Sequence, residues 1–508
     1  MLKTINPATG TEMKEIEEVS LSSTARIYQQ AEQAQKDWQG KSVSERLAYF
    51  QSLRLLMASK LDQLSTIIHA DTGKPKAEAL ATDIMPVIDY IQHIEKTAEA
   101  SLNRQSQSTP VLFWGKKSYI EYMARGTVLI ISPWNYPLQL SLIPVLSAMA
   151  GGNAVVLKPS EVTPLTGRLI ELLFKESRFP DQIVQVAQGG KELGEALIKE
   201  KPDYIFFTGS VKTGKIIQEQ AARDLIPTTL ELGGKDPMIV FEDANLERAA
   251  KAAVWGAFTN SGQVCMSTER VYVQRSVYQT FVRKVQELTM NLKQGTSIHD
   301  DLGSMTFPKQ IQIVKEQVED ALNKGAVLAA GDAPENWDND SMFIKPMVLL
   351  NVNQEMDIMK EETFGPVMPI MPFDREEEAI ELANGTSYGL NASVWSGDME
   401  KAERVVASLV TGNAAINDVM LTVMNPNLPF GGAKNSGIGR YHGEQGLRIF
   451  CHEKSVMTDS GKRNTEIQWF PYKGKYKPFK TLFQTMFGRN KNWKAAGQAY
   501  REIMKASK

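Results

Sequence analysis

A chain of 508 residues can hold two or three domains, each with a sizeable core, and 42% hydrophobic with 23% charged residues is the composition of a globular protein. A net charge of −2 gives the chain as a whole no pull toward nucleic acid. Two cysteines, Cys265 and Cys451, exclude a disulfide framework, and five scattered histidines give no ligand spacing, so no metal site is expected.

The start, "MLKTINPATG", lacks the apolar core of a signal peptide, and a reducing, cytoplasmic setting is expected. Residues 22–70 carry helical apolar spacing with many charges. Short apolar runs then alternate with helical segments: 126–132 before "LQLSLIPVLSAMA", 153–158 before "TGRLIELLFKES", and 204–210 before "GKIIQEQAARDL". A second series follows from "TTLELGGKDPMIVF" onward, so the chain reads as two α/β lobes with parallel sheets. The most apolar stretch, 138–157, contains Gln139, Pro144, Gly151, Gly152 and Asn153, which argues against a membrane-spanning helix. From about residue 461 a basic, aromatic tail begins. It holds twelve Lys and Arg against Glu466 and Glu502, a net of +10 that leaves −12 for the remainder.

One stretch is ambiguous. Residues 209–215 spell G-x-x-x-x-G-K, the opening of an ATP-binding P-loop, but Ile216 stands where such a loop needs a hydroxyl for Mg²⁺. Three further residues could carry chemistry. Cys265 lies in a small, polar stretch, "FTNSGQVCMSTER", although a lone cysteine is more often a buried hydrophobe. Glu231 ends an apolar run at a Gly-Gly pair, where it is either a surface carboxylate or one facing a cleft. Asn135 follows a strand between Pro133 and Pro137, as a turn former or a fixed donor.

Taken in order, "PWNYP", "LKPSEVTP", "FTGSVKTG", "ELGGKDP", "FTNSGQVC", "EETFGPV" and "PFGGAKNSGIGR" resemble the aldehyde dehydrogenase superfamily, from "INPATG" to about residue 458. The resemblance implies a Rossmann-like cofactor domain (1–105 and 125–233), a second α/β catalytic domain (234–450) and a small β oligomerisation arm (106–124 with 451–460), followed by the tail 461–508. It implies that Cys265 attacks an aldehyde as thiolate, that the Asn135 amide and the Cys265 N–H hold the oxyanion, and that Glu231 activates the water that hydrolyses the thioester. Superfamily members that transfer the acyl group to coenzyme A tend to lack this glutamate, so a free acid is the expected product.

For the cofactor, the resemblance makes Gly209–Lys215 a dinucleotide loop, with Gly209 turning the chain, Ser210 near the pyrophosphate and Gly214 allowing close helix packing. Lys158 and Glu161 would meet the adenosine ribose, Trp134 and Glu362 the nicotinamide ribose, Phe364 would pack near the ring, and Ser160 and Leu232 would be further cofactor contacts. A carboxylate at Glu161 favours NAD, with NADP possible.

Tyr136, Leu140, Ile143, Val264, Met266 and Met424 are the expected substrate-tunnel residues, none of them charged. The ending "LPFGGAKNSGIGRYHG" resembles the class 3 branch, which handles fatty, aromatic and other lipophilic aldehydes, although the start is longer than in that branch. In the tail, Phe479, Leu482, Phe483, Met486 and Phe487 share one helical face among Lys473, Lys475, Lys477, Lys480, Arg489, Lys491 and Lys494. Such a helix suits either an anionic bilayer or packing on the protein body or a partner subunit. The expectation is therefore an NAD(P)-dependent dehydrogenase of a lipophilic aldehyde (long-chain, aromatic, terpenoid or carotenoid), a homodimer or homotetramer, peripheral on the inner face of a membrane. The alternatives are a small polar aldehyde of betaine or semialdehyde type, or a catalytically silent relative that binds a membrane or partner.

Overall fold

The computed structural model describes residues 1–338, 340–489 and 491–507. Two compact units divide the chain: Met1–Asn103 with Tyr122–Glu453, and Arg104–Glu121 with Lys454–Lys508.

The first unit contains both expected α/β sheets. Val184–Val186, Ala154–Lys158, Thr127–Ile131, Tyr204–Thr208 and Thr228–Glu231 lie parallel in that order, and Gly437–Ile438 adds an antiparallel edge. These strands are short apolar runs because helices leave almost no face for water; Val128, Leu129, Ile130, Val155 and Val156 are fully buried. The chain steps outward from Thr127–Ile131 to Val184–Val186, then returns to place Tyr204–Thr208 on the other side of the starting strand. This reversal opens a crevice beyond the carboxyl ends of the two strands, the usual ligand position in such sheets. The second sheet orders Val327–Ala330, Met347–Leu350, Val367–Phe373, Thr268–Gln274, Asp236–Val240, Ser393–Trp395 and Ala415–Ile416.

The amphipathic stretch 22–70 forms helices Thr24–Gln39, Val43–Ser59 and Leu61–Thr72, the second begun by a reciprocal Ser42–Glu45 cap. Gln139–Ala150 is a helix of 12 residues buried on every face, which accounts for its uniform apolarity. Among the described residues, no helix is long and apolar enough to cross a membrane. The hairpin of Leu2–Ile5 and Glu12–Ile16 has no clear signal in the sequence, because strands of four and five residues show too little alternation.

The second unit contains Gln105–Gln107 and most of Lys117–Ala124 and Cys451–Thr458, three strands of one sheet, together with helices Tyr476–Phe487 and Trp493–Ala506. Leu482 packs with Ile467, Ala496, Ala499 and Ile503, and Leu112 joins this core. Lys116 binds Asp459 at 2.9 Å and Glu466 at 3.0 Å. Two expectations about the tail are corrected here. Its apolar face is split: Leu482, Phe479 and Met486 turn into the core with the last helix, while Phe483 and Phe487 stay exposed. Lys475 is buried and donates to the carbonyls of Ile467 (3.1 Å) and Trp469, so it is no surface cation. Lys508 lies outside the described residues.

Candidate active site

A cleft of about 640 Å³ fills the crevice at the strand reversal. Asn135, Glu231 and Cys265 line it together with nine of the ten expected cofactor residues. Gly214 is the exception. It lies behind the wall, where a Cβ would come within 2.6 Å of Leu232, so its role is to let the helix Val211–Arg223 approach that side chain.

Of the expected tunnel residues, Leu140 alone lines the cleft. Tyr136 lies with its ring centroid 4.1 Å from the Lys74 ammonium. Ile143 is on the fully buried helix, and Val264 and Met266 are buried beside Cys265. Met424 lines a different depression, with Leu421, His93 and Lys96. Helical and motif positions alone did not distinguish a wall residue from the layer behind it.

Cys265 is half-buried at the end of a tightly held segment. Asn260 and Ser261, both buried, adopt left-handed backbone angles (φ 50° and 53°), a conformation that non-glycine residues reach only where neighbours impose it. Gly262 follows at φ 73°, and a Cβ there would lie 2.1 Å from the Gly365 carbonyl oxygen. On the other side, a Cβ on Gly234 would lie 2.3 Å from the Cys265 carbonyl oxygen. The glycines of "ELGGK" and "NSGQ" are thus where the backbone carrying the thiol is clamped.

The Asn135 side chain donates to the Gln263 carbonyl at 3.0 Å. A carboxamide has two N–H donors, so the second remains for an oxygen bound beside Cys265. Glu231 is buried with both carboxylate oxygens unpartnered. Burial pushes its pKa well above the usual carboxylate range, opposed by Arg440. Burial, followed by the Glu362, Asp236 and Glu231 carboxylates, also pushes the Cys265 thiol up. The Glu362 carboxyl accepts from the Gly234 N–H at 3.2 Å, and burial, followed by the Glu269 carboxylate, pushes its pKa up to about 8.

The cofactor half is equally specific. Ser210 caps the helix Val211–Arg223, accepting from Thr213 N at 3.3 Å, and Gly209, Ser210, Lys212 and Thr213 at this helix start line the cleft, where an anion would be favoured. Ile216 lines the cleft where a P-loop would have its metal-binding hydroxyl. Lys158 donates to Glu161 at 3.0 Å. Trp134 packs edge-on against Phe364 (5.5 Å) and near Phe307 (5.7 Å). One elongated cleft running from an acid–lysine pair, past a helix start, to a thiol fits a dinucleotide.

Several supporting residues were not anticipated. Lys74, fully buried, donates to the Asn135 carbonyl at 2.7 Å and lies 3.5 Å from Asp83. Asp83, on a π-helical turn Ala79–Ile84, accepts from Leu138 N (3.1 Å) and Gln139 N (2.7 Å) and so starts the buried helix. Glu78 accepts from Thr259 Oγ1 at 2.8 Å and from the Asn260 N–H. These three charges hold Asn135 and the segment before Cys265. A second buried pair, Lys235 with Glu269 at 2.6 Å, holds the next loop, where Glu269 accepts from Thr363 N and Phe364 N, both at 2.9 Å. Phe307 and Gln263 complete the set.

Three results are expected from this electrostatic arrangement. Lys74→Met leaves Asp83 and Glu78 buried without their cation and is expected to cost about 3–5 kcal/mol, read as a lower urea midpoint; Lys74→Met with Asp83→Asn should recover part of it. The pH profile follows from the raised Cys265 and Glu231 groups. Both gain their reactive, deprotonated forms as pH rises, so oxidation increases from neutral into alkaline solution. Glu362→Gln removes a like charge facing the thiol, so the iodoacetamide reaction of Cys265 should move to lower pH; movement the other way would refute the field assigned to Glu362.

The sheet reversal and its cleft place the chain among the α/β oxidoreductases that bind a dinucleotide at a strand switch point. It matches the aldehyde dehydrogenase family over residues 1–456. It is 43% identical over 494 residues to a 4,4'-diapolycopene aldehyde oxidase of Methylomonas, covering 95% of this chain and 92% of that one. A protein of Mycolicibacterium smegmatis, named provisionally as an NADP(+) succinate-semialdehyde dehydrogenase, is 37% identical over 454 residues, with 89% and 87% covered. An NAD+ complex of an aldehyde dehydrogenase from Bacillus cereus superposes with TM-score 0.85 at 34% identity, over 90% of this chain and 93% of that chain. The chain belongs to the aldehyde dehydrogenase family. Its activity is NAD(P)-dependent aldehyde oxidation.

Proposed function

We propose that the chain oxidises a lipophilic aldehyde to its free carboxylic acid, with Cys265, Asn135 and Glu231 as the reacting groups. The observation that carries the chemistry is a thiol, an amide with a spare donor and an unpartnered buried carboxyl in one cleft. The Cys265 thiolate adds to the carbonyl carbon, and the Asn135 amide with the Cys265 N–H takes the charge that builds on oxygen. The nicotinamide, when bound, accepts the hydride. Cys265 is left as a thioester, and ionised Glu231 removes a proton from the water that cleaves it. Glu161 beside Lys158 favours NAD. The domain limits 1–105 with 125–233 and 234–450 belong to this reading, as do a homodimer or homotetramer and a cytoplasmic site against a membrane's inner face.

The substrate class rests on the charges of the cleft. Near Cys265, Lys74 is committed to Asp83 and the Asn135 carbonyl, and Arg440 donates to the carbonyls of Gly412 (3.2 Å) and Gly431. The cleft-lining cations Lys158, Lys191 and Lys212 flank the cofactor end. Among the described residues, no cation is left at the thiol to meet a substrate carboxylate, which favours an apolar chain over a semialdehyde acid. The Methylomonas match covers 95% of the chain and so extends past residue 461, which joins the tail to a carotenoid-type relative.

The test is kcat/KM for unbranched aldehydes of rising length, a polyene aldehyde and succinic semialdehyde. Each buried methylene is expected to add about 0.8 kcal/mol, roughly fourfold. Higher kcat/KM for succinic semialdehyde than for every apolar aldehyde would establish the polar reading instead.

A further inference from the structure

We infer that the exposed aromatic and basic surface of the second unit is a docking surface for an anionic phospholipid bilayer. This deepens the membrane-side part of the proposed function and rests on it. Among the described residues, nine Trp, Phe and Tyr side chains are well exposed, and eight of them belong to this unit although it holds a small fraction of the chain. Phe470 is 78% exposed and Phe487 70%, with no polar atom to repay contact with water. On the helix Tyr476–Phe487, the residues Tyr476, Lys480, Phe483 and Phe487 fall at spacings of four, three and four, which puts them on one stripe. Phe483 touches Phe479 and Phe487 ring to ring at 5.7 and 6.2 Å, so the exposed apolar surface is continuous.

Charge selects the occupant. Ten Lys and Arg side chains of residues 461–507 are exposed, whereas Glu502 is the one exposed carboxylate among the described residues there, since Glu466 is buried against Lys116. A second copy meeting this face through a two-fold axis would bring these cations against their own equivalents. Single-stranded nucleic acid would satisfy the charge and can stack on phenylalanine, but Phe483 already packs ring to ring with Phe479 and Phe487, which leaves no gap between these rings for a base to enter. A bilayer with anionic headgroups satisfies both, taking phenylalanines into the acyl boundary and lysines at the phosphates.

Deleting the tail would strip Leu112 of its core, so substitutions of exposed side chains test the idea better. The full-length chain is mixed with vesicles of phosphatidylglycerol and phosphatidylcholine in equal parts, or of phosphatidylcholine alone, and sedimented at low and high salt. Binding is expected on the anionic vesicles, weakened by salt. Lys477→Gln with Lys480→Gln should lower the partition about thirtyfold, two charges at about fivefold each. Phe483→Ser with Phe487→Ser should lower it at least about tenfold. Turnover of a short, water-soluble aldehyde and the sedimentation-velocity mass should not change in either variant. No binding, equal binding to both vesicles, loss of subunits in the phenylalanine variant, or displacement of vesicles by a single-stranded oligonucleotide would each overturn the proposal. Failure of vesicle binding with the preference for long aldehydes intact would remove this surface and leave the substrate reading standing.

Discussion

Cys265→Ser is expected to lower NADH formation from any aldehyde by roughly 10⁴- to 10⁶-fold, with the fold and the affinity for coenzyme unchanged. The hydroxyl replaces the sulfur with little change in volume, so the clamp around Gly262 and Gly234 is undisturbed. The loss is chemical. A thiolate is strongly nucleophilic even as a small fraction of the population, whereas a serine needs a base that takes its proton as it attacks. The carboxyls facing position 265 make any anion there harder to form, and serine starts from a much higher pKa. Steady-state NADH absorbance measures the loss, and a melting curve checks the fold. Turnover within tenfold of the parent would remove Cys265 from the reaction.

Glu231→Gln is expected to separate the two halves of the reaction. Acylation of Cys265 does not need the glutamate, so one equivalent of NADH should appear in a burst. The steady rate that follows should be about 10²- to 10⁴-fold slower, the usual contribution of a positioned base. Mass spectrometry of the stalled protein should find the acyl group on Cys265. Because Glu231 has no hydrogen-bond partner for either oxygen, its replacement by the neutral isostere removes no contact, and stability should be unchanged or slightly higher. A variant that turned over at the parental rate without a burst would show that the water is activated elsewhere.

Both effects depend on residues that can be picked out from the order of amino acids. "FTNSGQVC" and "ELGGK" are short, ordered segments in which steric need is local. Gly234 and Gly262 stand where a backbone carbonyl leaves no room for a side chain, and the reactive residue lies within a few positions of each. The strand–helix alternation of the first sheet is equally legible, since Thr127–Ile131, Ala154–Lys158 and Tyr204–Thr208 are largely apolar runs, and the helices Pro164–Glu176 and Val211–Arg223 repeat their apolar positions on one side.

What holds the reactive groups is not legible in the same way. Lys74 reaches the Asn135 carbonyl across 61 residues, and Lys235 reaches Thr363 across 128. Lys74 sits in a stretch that reads as ordinary polar surface, and Lys235 in a motif that points to Glu231 and not to the lysine's own role, because a buried charge is recognised only by the partner that neutralises it. The walls of the cleft are hard to read for a related reason: Leu140 lines it, while Ile143, one turn along the same buried helix, is buried and does not.

By itself, then, the order of amino acids determined which segments become strands and helices, which residues can react, and that the tail carries excess positive charge. Those properties depend on near neighbours and on composition. Only the tertiary structure decided which buried cations orient Asn135 and the Glu362 loop, which apolar residues wall the cleft, and which half of the tail's apolar stripe is left uncovered. Helical spacing says which side chains share a face; what covers that face is set by packing between segments far apart in the chain.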